Sequence, residues 1–307
     1  MENQNKEIKS GYVTIIGRPN AGKSTLMNRF LGEKISIITN KPQTTRKRVL
    51  GILDDENYQI IFLDTPGILN PAYLLQKKML EYVFQSINDA DVLLVLIDIS
   101  TDPTGELTFA NEDAAKLIEK FAGPKIAAIN KVDISSEDKV NSLMVLLEDK
   151  NIFDEIVPIS ATEGYNTSKL LDILIDKLPV HPKYFPEDQI SDEPERFFVS
   201  EIIREKIFEQ YKDEIPYSTE VLIENFKERE KGKDFIAAVI VVEKDSQKPI
   251  IIGRKGEALK KLGQRAREEI ERFLQRPVYL ELRVKVRKNW RQNPALLKSF
   301  GYIQSND

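Results

Sequence analysis

The stretch GRPNAGKST, Gly17 to Thr25, sets two glycines, a lysine and a serine where backbone must come close to a ligand. It follows the apolar run YVTII and precedes STLMNRF, so the pattern is strand, glycine loop, helix. In that setting Gly17 and Gly22 permit a tight turn with close backbone approach. The N–H groups of Asn20, Ala21, Gly22, Lys23, Ser24 and Thr25, with the positive end of the helix behind them, then cradle a β-phosphate. Lys23 is placed across the β- and γ-phosphates, and Ser24 offers a hydroxyl to Mg²⁺. The composition alone also allows a plain turn, and it is the flanking strand and helix that favour a phosphate loop.

The loop does not choose between adenine and guanine. NKVD, Asn130 to Asp133, follows the strand-like KIAAI and so falls at a strand's C-terminal end, where α/β folds bind ligands. The Asp133 carboxylate is able to accept both N1–H and N2–H of guanine, whereas adenine presents an acceptor at N1. Asn130 is in reach of N7 and of the phosphate loop, and the aliphatic stem of Lys131 covers the base plane. DTPG, Asp64 to Gly67, closes YQIIFL; Asp64 is placed to hold Mg²⁺ through water, and the Gly67 N–H to meet a γ-phosphate oxygen. KPQTTRKR offers Thr44 and Thr45 as candidates for a second hydroxyl on the metal, and ISA, Ile159 to Ala161, offers N–H groups to guanine O6. Ile68 stands where Ras-like enzymes carry a water-orienting glutamine, so hydrolysis must use another arrangement or be slow.

These residues need elements to carry them. Up to Leu178 short apolar runs alternate with helical stretches, which predicts an α/β domain, a P-loop fold with a mostly parallel sheet, over 11–178 behind a tail at 1–10. PVHPKYFPEDQISDEPE is rich in proline and has neither period, so 179–194 reads as a linker, with His181 an ordinary member of it. Over 195–291 the order becomes helix, strand, strand, helix, helix, strand, a smaller α+β domain, with a tail at 292–307. No run approaches the roughly 20 apolar residues of a spanning helix, and the N-terminal stretch lacks the apolar segment of a secretory signal. The 307 residues include no cysteine, which excludes disulfides and thiolate metal sites. A soluble, cytoplasmic chain is expected.

Charge is distributed unevenly. The net charge is −4, yet from Lys248 to Arg291 fourteen Lys and Arg face five Glu, a local +9 that leaves −13 elsewhere. Within this region Gly253, Arg254, Lys255 and Gly256 spell G-x-x-G ahead of a basic helix and behind two strands, the order of a type II KH domain. Such a loop clamps about four nucleotides of single-stranded RNA. Lys260, Arg283 and Lys285 are further candidates for RNA contact. VYLELRVKV alternates at period two, with Tyr279, Glu281, Arg283 and Lys285 on one side. Anionic lipid attracts basic surfaces as well, so charge does not separate these partners.

Taken together, the spacing of the loops, the TTR and DTPG elements and the second domain resemble the Era family of bacterial GTPases over Gly11 to about Tyr302. The resemblance implies GTP hydrolysis to GDP with Mg²⁺, in which Lys23, Thr45 and Gly67 serve the reaction. It implies that Ser24, Thr45 and, through water, Asp64 hold the metal, and that Ser160 and Ala161 complete the base site. It further implies K⁺ bound through Asn20, the single-stranded 3′ end of small-subunit ribosomal RNA and the small subunit as partners, and peripheral association with the cytoplasmic membrane. A nucleotide-switched scaffold at a membrane or protein surface, hydrolysing GTP only incidentally, is the alternative.

Overall fold

The computed structural model describes residues 7–303, in two units. The first comprises residues up to Ser36, Thr45–Pro71 and Met79–Asp192; the second comprises Ile37–Thr44, Ala72–Lys78 and the chain from Glu193.

In the first unit the elements run β1 (Lys9–Gly17), α1 (Lys23–Leu31), β2 (Val49–Asp54), β3 (Tyr58–Asp64), α2 (Leu74–Asp89, in this unit from Met79), β4 (Val92–Asp98), α3 (Glu112–Lys120), β5 (Lys125–Asn130), α4 (Glu137–Asp149), β6 (Glu155–Pro158) and α5 (Thr167–Lys177). The sheet order is β2-β3-β1-β4-β5-β6, parallel except for β2 against β3. Every residue of β4 is buried, as the continuous apolar run of a parallel strand covered on both faces requires. Ile16, Val95 and Ile129 pack with Val83 of α2, Ile118 of α3 and Leu143 of α4, while Phe30 of α1 stacks on Phe62, 5.2 Å between centroids. β2 is absent from the sequence expectation. It is a short antiparallel edge strand, VLGILD, and its apolar residues give no clean period.

The expected linker is largely part of this unit. Its prolines cannot donate to a ladder and suit a segment lying on a sheet edge. The His181 N–H bonds the Ile8 carbonyl, the Ile52 N–H bonds the Ile190 carbonyl, and the Gln59 side-chain oxygen accepts the N–H groups of Tyr184 and Phe185. His181 stacks on Tyr184 at 4.3 Å.

The second unit continues with α6 (Glu195–Gln210), α7 (Ile215–Ser218), β7 (Glu220–Lys227), β8 (Asp234–Val242), α8 (Gln247–Ile252), α9 (Glu257–Leu274), β9 (Val278–Val286) and α10 (Pro294–Ser299). Apart from the short α7 and the closing α10, this is the expected order. β8 pairs antiparallel with β7 and parallel with β9. Leu262, Ala266, Ile270 and Leu274 form the buried stripe of α9 and join Ile236, Ile240 and Val284 in one core. The expected C-terminal tail is structured: α10 buries Leu297, and Phe300 and Tyr302 are buried with Trp290. The Trp290 indole N–H bonds the Ser218 carbonyl, and the Tyr302 hydroxyl donates to Glu220. Residues 1–6 and 304–307 of the two expected tails lie outside the described residues.

Residues Ile37–Thr44 join this unit through two cations. The Lys41 ammonium caps the C-terminal carbonyls of α6 at Phe208 and Tyr211. Arg204, almost wholly buried, donates to the Thr44 carbonyl and pairs with Glu201.

Candidate nucleotide site and nucleic-acid groove

The glycine loop leaves β1 at Gly17 and enters α1 at Lys23. Gly22 has φ 99°, and a Cβ there would fall 2.3 Å from the Asn130 amide nitrogen, so the position requires glycine on two counts. The Lys23 ammonium donates to the carbonyls of Gly17 (3.3 Å) and Arg18 (3.0 Å). Burial pushes its pKa down to about 8, with the Asp64 charge opposing the shift.

Ser24, Thr45 and Asp64 converge. The Ser24 hydroxyl donates to Asp64 Oδ2 at 2.6 Å, Thr45 Oγ1 lies 3.1 Å from Ser24 Oγ and donates to the same Asp64 oxygen at 3.4 Å. Burial raises the Asp64 pKa, against the pull of Lys23 and of the Ser24 and Thr45 hydroxyls. Its other oxygen, Oδ1, is buried with no hydrogen bond of normal geometry among the described residues, the Ser36 hydroxyl being the group that lowers the pKa beside those two. Two hydroxyls and a carboxylate with one unsatisfied oxygen form the hard donor set that suits Mg²⁺. Of the two threonines, Thr45 is the one beside Ser24 and Asp64, while the Thr44 hydroxyl donates to the Lys41 carbonyl. Gly67 follows β3, and the next N–H, that of Ile68, bonds the Gly17 carbonyl at 3.0 Å. Ile68 is a core residue beside Ile16, with no polar atom to offer a water. Asn20 is exposed, with φ 64°.

The base loops are tied together by Asn130. Its Nδ2 donates to the Ala21 carbonyl at 2.7 Å, and its Oδ1 accepts the Ala161 N–H at 2.9 Å, so one buried amide joins the phosphate loop to both base loops. The ISA motif departs from its expected part. The N–H groups of Ile159 and Ser160 bond Ile129 and Tyr165, and that of Ala161 bonds Asn130, so all three are engaged inside the protein rather than free for guanine O6. Asp133 is exposed. Lys131 sits at φ 68° with its ammonium 2.7 Å from Asp98. Burial of Asp98 is outweighed by hydrogen bonds from Lys131 and Ser100, which hold its carboxyl below the usual range. Asp98 and Arg29, whose Nε donates to the Ala161 carbonyl, were not expected. Asp98 ends β4 beside Asn130 in register, the one sequence signal available for it.

In the second unit Gly253-Arg254-Lys255-Gly256 joins α8 to α9, with Arg254 and Lys255 exposed. Gly253 has φ 74°, and a Cβ there would meet the Ala258 Cβ at 2.5 Å, so a side chain would open the turn. A groove of about 540 Å³ runs from this loop, lined by Gly256, Lys260, Gln264, Arg267, Leu280 and Leu282 among others. Lys260 therefore joins the glycine loop as expected, and Gln264 and Arg267 were missed. Arg283 and Lys285 do not join it. They alternate with Leu282 along β9, and so point to the opposite sheet face, where they pair with Glu281 and Glu224.

Comparisons with known proteins agree with this layout. A family model described as 50S ribosome-binding GTPase matches residues 12–131, and a KH domain model matches 214–291. The chain is 46% identical to GTPase Era of Geotalea daltonii over 97% of its length and 99% of the relative's. It is 44% identical to an ERA-like chloroplastic GTPase of Arabidopsis thaliana, covering 97% of this chain and 70% of that one. A crystal structure of Era with MgGDPNP and nucleotides 1506–1542 of 16S ribosomal RNA superposes with a TM-score of 0.91 at 43% identity, over 97% of this chain and 100% of that one. With phosphate loop, base loops and glycine clamp all in place on the matching fold, the chain belongs to the Era family of GTPases.

Proposed function

We propose that this GTPase binds the single-stranded 3′ end of small-subunit ribosomal RNA in its KH groove and acts under nucleotide control in small-subunit assembly. The observation that carries the RNA reading is the groove. Its glycine loop and exposed cations suit a sugar-phosphate backbone, and Leu280 and Leu282 offer an apolar wall to unstacked bases. At the nucleotide site Lys23 would turn from its loop carbonyls to the β- and γ-phosphates, Asp133 would accept from the guanine edge, and Ser24, Thr45 and, through water, Asp64 would hold Mg²⁺. Bound there, Mg²⁺ neutralises charge developing between the β- and γ-phosphates. Ile68 has no means of orienting water, and on the resemblance to the Era family we assign Asn20, exposed in the glycine loop, to a K⁺ that would add positive charge to the site.

The test of RNA binding is Arg254→Asp with Lys255→Asp, titrated with a short single strand and a matched duplex at several salt concentrations. We expect the wild type to prefer the single strand and the variant to lose most affinity with a shallower salt slope, GTP binding being retained. Preference for duplex, or full affinity in the variant, overturns the reading. For K⁺, turnover in potassium should exceed turnover in sodium at equal ionic strength and lose that difference in Asn20→Ala. Equal wild-type rates remove the ion.

Among the described residues no helix is long and apolar enough to cross a membrane. Peripheral membrane association, which we also propose, rests on the exposed cations Arg254, Lys255 and Lys260 meeting anionic lipid. Sedimentation with anionic and neutral vesicles tests it, and equal recovery with both would speak against it.

A further inference from the structure

The face of the β7-β8-β9 sheet turned away from the glycine loop carries a feature that the groove does not use. Tyr279 of β9 and Phe235 of β8 are ladder partners, and their rings lie 5.9 Å apart at 14°, stacked side by side. Tyr279 is 57% exposed. Lys227, opposite Phe235 on β7, is exposed as well and makes no ion pair among the described residues. Further along the same face Val239 and Val241 are covered and Phe235 is half-buried, so the open surface is Lys227 and Tyr279 at one end and the exposed Arg283 and Lys285 along β9.

We propose that this face is a second single-stranded RNA surface, on which bases continuing from the glycine-loop groove stack against Tyr279, backed by Phe235. The inference rests on the RNA reading of that groove. Three observations favour a nucleic acid over a protein or a lipid. The exposed Tyr279 ring, backed by Phe235, offers a π-face to a base irrespective of sequence. Phosphates have cations to meet in Lys227, Arg283 and Lys285. The last two are paired only with Glu281 and Glu224 in exposed bridges, and such pairs are weak enough for a phosphate to displace the carboxylate. The third is continuity, since β9 is the edge strand of its sheet. Leu280 and Leu282 of β9 line the groove while Tyr279 and Arg283 alternate onto the other face. A strand leaving the groove therefore has only the width of one β-strand to cross.

The experiment uses the full chain and two labelled single-stranded RNAs, one of about five nucleotides, enough to fill a glycine-loop groove, and one of about twelve. The wild type should bind the longer strand at least tenfold more tightly. Tyr279→Ala should remove about tenfold or more of that affinity, the effect of losing one stacked base, and leave the shorter strand unaffected. Tyr279→Phe should retain long-strand affinity, and Tyr279→Trp should retain it with fluorescence that only the longer strand quenches. Arg254→Asp with Lys255→Asp should weaken both lengths. If Tyr279→Ala leaves the longer strand bound as tightly as before, or weakens both lengths equally, the second surface is refuted. If the wild type binds neither length, the RNA reading of the groove fails first, and the proposal with it.

Discussion

Lys23 shows how much a single buried side chain reveals about a site. Its ordinary pKa of 10.5 falls to about 8 because burial penalises the charged form. The unfolded chain holds that proton to about pH 10.4, so between pH 8 and that value the unfolded state binds more protons than the folded one. The group's contribution to the stability of the free protein therefore rises with pH across that window, and a charged, buried Lys23 weighs against the fold below it. Phosphate reverses the balance by favouring the ammonium. We expect GDP binding at about pH 8.5 to take up more than about half a proton, seen by calorimetry in buffers of differing protonation enthalpy. Heats that do not vary with the buffer would contradict it. The identity of this lysine was legible from spacing, since a phosphate cradle demands glycine, lysine and hydroxyl in fixed order. Its partners in the absence of ligand were not, because backbone carbonyls leave no trace in residue types. The choice between Thr44 and Thr45 was open for the same reason: adjacent identical residues are distinguished only by what each hydroxyl meets.

At the level of elements, Asn130 acts as a brace at the end of β5, and this gives it a part beyond touching the base. Asn130→Ala would leave the Ala21 carbonyl and the Ala161 N–H buried and unpaired, each costing about 1–3 kcal/mol. We expect the nucleotide-free protein to lose about 3 kcal/mol of unfolding free energy, measured by denaturant melts without ligand. Stability unchanged to within about 0.5 kcal/mol would confine Asn130 to base recognition. Strand and helix order was readable wherever a segment kept one clear period, as the alternation of β9 and the buried stripe of α9 both do. β2 escaped because a short apolar edge strand has no period to offer. Alternation also separated Leu280 and Leu282 from Arg283 and Lys285 correctly, but not which set faces α9. That depends on which residues of β8 and β9 meet, and charge alone does not say whether Arg283 and Lys285 share the face of the groove.

For the whole molecule, the two-part division was legible from the change in element order, but the true partition of the chain is not contiguous. Ile37–Thr44 and Ala72–Lys78 belong to the unit whose remaining residues begin at Glu193. Local pattern cannot announce this, because the attachment is made by Lys41 meeting α6 carbonyls and by Arg204 meeting one carbonyl of Thr44. The arrangement bears on the order in which the protein is made. Chains emerge from the ribosome N-terminus first, and domains fold as units in that order. The eight residues ending at Thr44 are synthesised roughly 150 residues ahead of the helix that receives them, and closing contacts so far apart in sequence is slow. During that interval Lys41 and the Thr44 carbonyl are present without the α6 groups they meet in the finished chain. Newborn chains would thus pass through a stage at which residues 37–44 are already made while the unit they join does not yet exist to receive them.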